Sequence, residues 1–255
     1  MTDDAPQNIY DDPDFFAGYA KLRENPLSAN AIVVDPARDR LLPPLAGKRV
    51  VDLGCGAGGF CREAIAAGAA SVCGVDISER MLGEARGEPV NPDKEPRLRY
   101  VRASLDGWDA PPGSADVIVS VLALHYLPDI RPVFAAVANA LAPGDGVFVF
   151  CVEHPVVTAA RESSGGWVRD ENGVKRHWAM DDYANESERV SEWIVPDMRV
   201  YHRTLATYLN GVLDAGLTIT RIDEPLPDAE AVAARPAFRD ERRRPAFLFV
   251  RVEKR

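Results

Sequence analysis

The hydrophobic positions of the chain fall into two kinds of segment. Short and largely apolar runs, such as residues 48–53 and 115–122, have the length and composition of buried strands. Between such runs, apolar residues recur every four positions, as Val133, Val137 and Leu141 do, which is typical of amphipathic helices. This alternation of strands and helices predicts an α/β fold with a parallel sheet covered on both faces.

The pattern is regular enough to assign individual elements. Strands are predicted at residues 48–53, 71–76, 98–102, 115–122, 147–153, 217–223 and 246–252. Helices are predicted at residues 14–24, 58–67, 78–86, 130–141 and 204–215. Only the short segment AEAVAARP separates the last two strands, so we expect these strands to pair antiparallel at the edge of the sheet.

Residues 154–200 interrupt the alternation with many charges and three tryptophans, Trp167, Trp178 and Trp193. We predict that this insert is a lid that binds the acceptor, meaning the small molecule on which the protein would act. Large flat rings, including that of Tyr183, suit an aromatic or apolar ligand. The alternative is that the same rings only hold the lid on the core.

The chain of 255 residues is predicted to form a single domain spanning 1–255. Residues 1–44 precede the first strand and are expected to form an N-terminal helical cap. The cap would close the side of the ligand site opposite the lid, with Tyr19 reaching the ligand and with Tyr10 or Asn30 as further candidates.

A glycine-rich turn follows the first strand in the segment VVDLGCGAGGF, residues 50–60. Glycines let a ligand lie directly on the backbone, and the helix that follows directs free N–H groups at it. Gly54, Gly56 and Gly59 also satisfy the dinucleotide spacing. However, Asp52 would repel a pyrophosphate, whereas it would favour an ammonium or a sulfonium. The segment therefore predicts a turn that binds a cofactor carrying positive charge.

VVDLGCGAGGF and the later GVDIS resemble the first two motifs of class I S-adenosylmethionine-dependent methyltransferases. The resemblance covers residues 45–152 well. It implies a Rossmann-like seven-stranded sheet of order 3-2-1-4-5-7-6, its last strand antiparallel, with helices on both faces and a lid insert after strand 5. The segment VYHRTLATYLNGVLDAGL is similar to bacterial small-molecule methyltransferases grouped with quinone biosynthesis. The implied cofactor is S-adenosyl-L-methionine, and the implied product is S-adenosyl-L-homocysteine.

The resemblance also implies roles for single residues. Asp76 would bind both ribose hydroxyls and Ile77 would pack on adenine. Family members often place an acid opposite the adenine amino group, but here that place falls on Ser104 and Leu105, so either Ser104 or Asp106 is expected there. The cofactor-binding residues implied are Tyr19, Asp52, Gly54, Cys55, Gly56, Asp76, Ile77, Ser104, Leu105 and Leu122.

Methyl transfer is an in-line displacement, and it needs a base only when the acceptor must lose a proton. The candidate bases are histidines. His154 ranks first because it follows the fifth strand at the edge where ligands bind in open α/β folds. His202, before the helix at 204–215, ranks second, and His125, after the fourth strand, ranks third. A structural or capping role is the alternative for each of them.

Composition limits the partners. The chain has 30 basic and 39 acidic residues and a net charge of −9, which disfavours nucleic acid and anionic membranes. Its apolar runs are too short to span a bilayer, and its four cysteines lack metal-ligand spacing. We expect a cytoplasmic protein with no metal, no nucleic-acid or membrane partner and a small-molecule acceptor; a homodimer remains open.

These observations predict methyl transfer to a small aromatic or apolar acceptor, at oxygen, nitrogen or carbon in that order. Two other functions stay open. One is a protein of this fold that binds S-adenosylmethionine without methylating, as a regulator or a cyclase-like catalyst. The other is a nicotinamide-dependent reductase, which Asp52 opposes.

Overall fold

A computed structural model shows a mixed sheet surrounded by helices. It describes residues 7–90, 93, 95–160, 166–191, 194–195 and 197–255. The strands are β1 (Arg49–Leu53), β2 (Ser71–Asp76), β3 (Leu98–Arg102), β4 (Val117–Val121), β5 (Gly146–Glu153), β6 (Trp167–Arg169), β7 (Lys175–Trp178), β8 (Glu188–Ser191), β9 (Met198–Tyr201), β10 (Thr218–Asp223) and β11 (Phe247–Lys254). The α-helices are α1 (Pro13–Glu24), α2 (Asp35–Leu41), α3 (Gly59–Ala66), α4 (Glu79–Gly87), α5 (Arg131–Ala140), α6 (Pro155–Thr158), α7 (Leu205–Asp214), α8 (Ala229–Ala234) and α9 (Phe238–Glu241).

Seven strands form the main sheet in the order β3-β2-β1-β4-β5-β11-β10. The first five of these are parallel, and β11 runs antiparallel to both β5 and β10. The predicted strand order and the reversed last strand are therefore confirmed. Strand β5 is buried along seven of its eight residues, which explains its continuous apolar sequence. Strand β10 lies at the edge and is more polar.

Helices cover both faces of the sheet, as predicted. On one face, Phe134 of α5 and Tyr208 of α7 pack against Phe148 and Phe150 of β5. On the other face, α3 and the start of α4 pack on β1 and β2, and α2 packs on β5 and β11. The core is thus a three-layer arrangement with the sheet in the middle.

Two short helices, α8 and α9, connect β10 to β11. The segment AEAVAARP contains α8, but α9 was not predicted, because four residues are too few to show a helical period. A single π-helical turn at Asn30–Val34 leads into α2 and was also not predicted. Among the described residues, none of the helices combines the length and apolarity that a bilayer crossing requires.

Phe150 tests the central packing. Replacing Phe150 with Ala should lower the free energy of unfolding by about 3–5 kcal/mol, because the fully buried ring leaves a cavity among Phe134, Phe148 and Tyr208. Denaturant unfolding followed by circular dichroism measures this change. Leu226→Ala is the control, since Leu226 is 47% exposed and should change stability by no more than about 0.5 kcal/mol. Equal stability of the two variants would contradict the described core.

Candidate functional site

A cavity of about 1070 Å³ lies at the carboxyl ends of the parallel strands. The turns after β1, β2, β3 and β4, the last residue of β5 and the N-terminal segment form its walls. In this strand order the chain continues on opposite sides of β1, and the crevice at such a switch point is where open α/β sheets bind ligands. All ten predicted cofactor-binding residues line this cavity: Tyr19, Asp52, Gly54, Cys55, Gly56, Asp76, Ile77, Ser104, Leu105 and Leu122.

The turn after β1 depends on its glycines. Gly54 and Gly56 have φ angles of +81° and +52°, in the left-handed region that favours glycine. A Cβ at Gly54 would overlap the Cβ of Ala123, whereas a Cβ at Gly56 would meet no atom within 4 Å. The backbone N–H groups of Gly54 and Cys55 donate to the carbonyl of Val75, at 2.8 and 3.0 Å. The turn is therefore fixed on β2, and its backbone at Gly56 is open to a ligand.

Asp76 is the last residue of β2, and its carboxylate is oriented by two backbone donors. Oδ2 accepts from the N–H of Gly56 at 2.8 Å, and Oδ1 accepts from the N–H of Ser78 at 2.9 Å. Burial raises the pKa of Asp76, although these hydrogen bonds act in the opposite direction. Each oxygen keeps a free lone pair beside the cavity, so the carboxylate can receive two adjacent hydroxyls.

Asp52 lines the cavity and is only 4% exposed. Its Oδ2 accepts a hydrogen bond from the thiol of Cys61 at 3.4 Å. Burial raises the pKa of Asp52 to about 7, while the nearby charge of Arg38 lowers it. The carboxyl group is thus about half protonated at neutral pH. A cationic group placed beside it would favour the ionised form.

The N-terminal segment closes one side of the cavity. The Tyr10 ring meets those of Tyr19 and Tyr126 edge-on, with centroids 5.3 and 6.1 Å apart. Asp11 accepts hydrogen bonds from the hydroxyl of Ser78 at 2.6 Å and the N–H of Arg80 at 3.0 Å. These contacts tie the segment to the start of α4, beside Asp76. Tyr10 and Asn30, the further candidates beside Tyr19, also line the cavity, as does Asp106, the alternative to Ser104.

The structure brings only one of the three candidate histidines, His125, to the cavity wall. His154 caps α6: its Nδ1 accepts from the N–H of Val156 at 3.1 Å, and its Nε2 lies 2.7 Å from Glu224. His202 uses Nδ1 toward the hydroxyl of Thr158 and Nε2 toward the carbonyl of Tyr183, at 2.8 and 2.9 Å. The predicted order of catalytic bases, with His154 first and His202 second, is not supported, because both ring nitrogens of each histidine form hydrogen bonds that hold the insert.

His125 is 2% exposed, and its Nδ1 has no hydrogen-bond partner among the described residues. Burial, assisted by the charge of Arg203, lowers the pKa of His125 to about 3. The imidazole is therefore neutral at physiological pH. It can exchange hydrogen bonds with a ligand, but such a weakly basic ring is a poor proton acceptor.

The described tryptophans of the insert pack against the protein and do not line the cavity. The Trp167 and Trp178 rings meet edge-on at 5.3 Å, and the guanidinium groups of Arg243 and Arg244 lie over them. The indole N–H of Trp178 donates to the carbonyl of Val156 at 2.8 Å. These two rings thus favour the packing alternative, whereas Trp193 lies outside the described residues.

Tyr183 also serves the packing of the insert. Its hydroxyl accepts from the N–H of Leu205, and its ring lies against His202. The insert reaches the cavity instead through β9, with Arg199 and Tyr201. Glu153 also lines the cavity, and the sequence analysis did not predict it. Like Asp52 and Asp76, Glu153 is an acid near the carboxyl end of a parallel strand, and this position was the signal available in the sequence.

Comparisons with known proteins agree with this geometry. The methyltransferase domain family matches residues 50–144. The crystal structure of an S-adenosylmethionine-dependent methyltransferase from Mesorhizobium loti is 39% identical and has a TM-score of 0.78, covering 91% of this chain and 99% of that one. An uncharacterised Haemophilus influenzae protein is 32% identical over 249 residues, 97% of each chain. A ubiquinone biosynthesis O-methyltransferase of Thiobacillus denitrificans is 42% identical over 105 residues, 41% of this chain and 44% of that protein.

The chain belongs to the class I S-adenosylmethionine-dependent methyltransferases. Its cofactor is S-adenosyl-L-methionine. The residues present fit this molecule: the backbone at Gly56 is open, the Asp76 carboxylate can accept from a diol, and the buried Asp52 carboxyl suits a positively charged group. The chain spans less than half the length of the ubiquinone biosynthesis relative.

Asp76→Ala tests the assignment of the ribose hydroxyls. Loss of two charge-assisted hydrogen bonds should weaken binding of S-adenosylhomocysteine by about 1.5–3 kcal/mol, measured by calorimetry. Asp145→Ala is the matched control. Asp145 is exposed in the turn before β5, at the amino end of that strand, whereas the cavity lies at the carboxyl ends of the strands. An unchanged dissociation constant for Asp76→Ala would contradict the assignment.

The raised pKa of Asp52 leads us to predict that the affinity for S-adenosylhomocysteine depends on pH. Because its pKa is about 7 in the free protein, a cationic ligand must bind the ionised form, and lowering the pH protonates the site. The affinity for S-adenosylhomocysteine should therefore fall by about tenfold one pH unit below that pKa, and reach a plateau above it. In Asp52→Asn the affinity should be weaker and lack this step. Calorimetry across pH measures both proteins, and an identical step in the variant would contradict the role of Asp52.

Proposed function

We propose that this methyltransferase transfers the methyl group to a small acceptor that is partly aromatic or apolar. Among oxygen, nitrogen and carbon, oxygen is the atom that we propose is methylated. The observation that carries the proposal is the cavity. Its volume of about 1070 Å³ is slightly above the range of roughly 300–1,000 Å³ for sites of small molecules, which leaves room for an acceptor beside the cofactor. Apart from the cofactor-binding residues, its lining combines rings and apolar side chains, such as Tyr10, Tyr126, Leu127, Tyr201 and Phe247, with charged side chains such as Arg199 and Arg235.

When bound, the cofactor supplies an electrophilic methyl group on a sulfonium. The chain contributes by binding and orienting the cofactor and the acceptor, and by excluding water from them. Asp52 and Asp76 would hold the two ends of the cofactor, and the tyrosines would shield the reacting centre. Leu122 adopts a φ angle of +55°, which is unusual for a residue with a branched side chain. Such local strain is typical of functional sites, and here it directs the turn after β4 along the cavity wall.

The relatives support a small-molecule acceptor. The Thiobacillus denitrificans protein is named an O-methyltransferase of ubiquinone biosynthesis, and its similarity lies in a 105-residue segment. This similarity favours oxygen over nitrogen and carbon. The net charge of −9 gives no general attraction to nucleic acid, in keeping with a small acceptor.

An acceptor panel tests the proposal. The protein is incubated with S-adenosylmethionine and, separately, with small phenols, aromatic amines and apolar carbon acids, and formation of S-adenosylhomocysteine is followed by mass spectrometry. We expect turnover with phenols above the rate without acceptor, and its loss in Asp76→Ala at subsaturating cofactor. Tight cofactor binding with no turnover on any acceptor would contradict the proposal and favour the regulatory or cyclase-like alternative.

A further inference from the structure

Glu153 is a cavity-lining acid that the cofactor assignment does not use. It is the last residue of β5, and it is the one residue of that strand that is not fully buried. Its carboxylate forms no hydrogen bond or ion pair with the residues that the structure describes. A partly buried carboxylate without a hydrogen-bond partner is costly, so a ligand group with a proton to donate is the natural partner for it.

The sheet register places Glu153 away from the cofactor acids. Asp52 pairs with Val119, and Val119 pairs with Val149, so these three side chains share one face. Glu153 lies four residues beyond Val149 on that same face. With ordinary strand spacing, the Cα atoms of Asp52 and Glu153 are about 16 Å apart. The two acids therefore face different parts of the cavity, and Glu153 is free to serve the acceptor.

Glu153 also lies beside the turn after β4. The N–H of Leu122 donates to the carbonyl of Cys151 at 2.9 Å, which holds that turn against the end of β5. Burial raises the pKa of Tyr126, in the same turn, and the negative charge of Glu153 adds to this effect. Leu122, His125 and Tyr126 line the same cavity as Glu153.

The other candidate bases are weaker. His154 and His202 do not line the cavity, and the pKa of His125 is lowered to about 3. Burial acts in the opposite direction on Glu153 and raises its pKa above the ordinary value, although the nearby charge of Arg244 lowers it. A higher pKa makes the ionised carboxylate a stronger proton acceptor than the imidazole of His125.

We propose that Glu153 is the catalytic base, and that it accepts the proton of an acceptor hydroxyl as that oxygen is methylated. The oxygen–carbon bond forms while the carbon–sulfur bond breaks, and the electron pair of that bond stays on sulfur. The hydroxyl proton passes to an Oε atom of Glu153 and is later released to water. This inference rests on the proposed function, since it requires a hydroxyl acceptor.

Glu153→Gln tests the proposal with two acceptors of different acidity. With phenol, which is protonated at neutral pH, kcat should fall by about 10²–10⁴-fold. With 4-nitrophenol, which ionises near neutrality, the loss should be much smaller because little proton transfer is needed. The kcat of the wild-type protein on phenol should rise with pH as the carboxyl group ionises, and this rise should be absent in the variant.

Glu84→Gln is the matched control, because Glu84 is exposed on α4 and should leave both rates unchanged. The dissociation constant of S-adenosylhomocysteine, measured by calorimetry, should be the same in all three proteins and reports an intact fold. Glu153→Asp keeps the carboxylate and should restore part of the rate on phenol.

The outcomes are distinguishable. An equal loss on phenol and 4-nitrophenol, or an unchanged kcat in Glu153→Gln, would overturn the role of Glu153 and leave the proposed function standing. If the wild-type protein binds S-adenosylhomocysteine but methylates neither phenol nor 4-nitrophenol, the proposed acceptor class is overturned, and the inference with it.

Discussion

The site depends on one constraint, the burial of the Asp52 carboxyl group at the end of β1. With only 4% of the residue exposed, its ionised form is costly, and its pKa rises to about 7. A positively charged ligand stabilises that ionised form, whereas a pyrophosphate would add repulsion to the cost of burial. Burial of Asp52 is therefore the reason why we predict a cationic cofactor for the same glycine spacing that accepts a dinucleotide in other folds.

Asp76 shows how the architecture turns an ordinary acid into a specific ligand. Parallel strands end at one edge of the sheet, so Asp52, Asp76 and Glu153, each near the end of its strand, all line one cavity. Their surroundings then differentiate them. Asp76 has two backbone donors, Asp52 has a thiol, and Glu153 has no hydrogen-bond partner among the described residues. Three carboxyl groups thus suit three different ligand groups.

The insert after β5 has a more structural character than its aromatic content indicated. Trp167 and Trp178 hold it against Arg243 and Arg244, and His154 and His202 use all their ring nitrogens to hold its two ends. Its β9 strand contributes Arg199 and Tyr201 to the cavity, and the side chain of Gln7 pairs with the backbone of Arg199. The N-terminal segment and the insert therefore close the cavity together.

By itself, the sequence determined the strand and helix order, the glycine turn and ten of the residues that line the cavity. These features follow from local chemistry, because apolar periodicity and spaced glycines act over a few residues. Which histidine reaches the cavity, and which acid remains unpaired, depended on contacts between residues far apart in the chain, such as His154 with Glu224 and His202 with Thr158. No short-range pattern encodes such partners, so only the tertiary structure decided them.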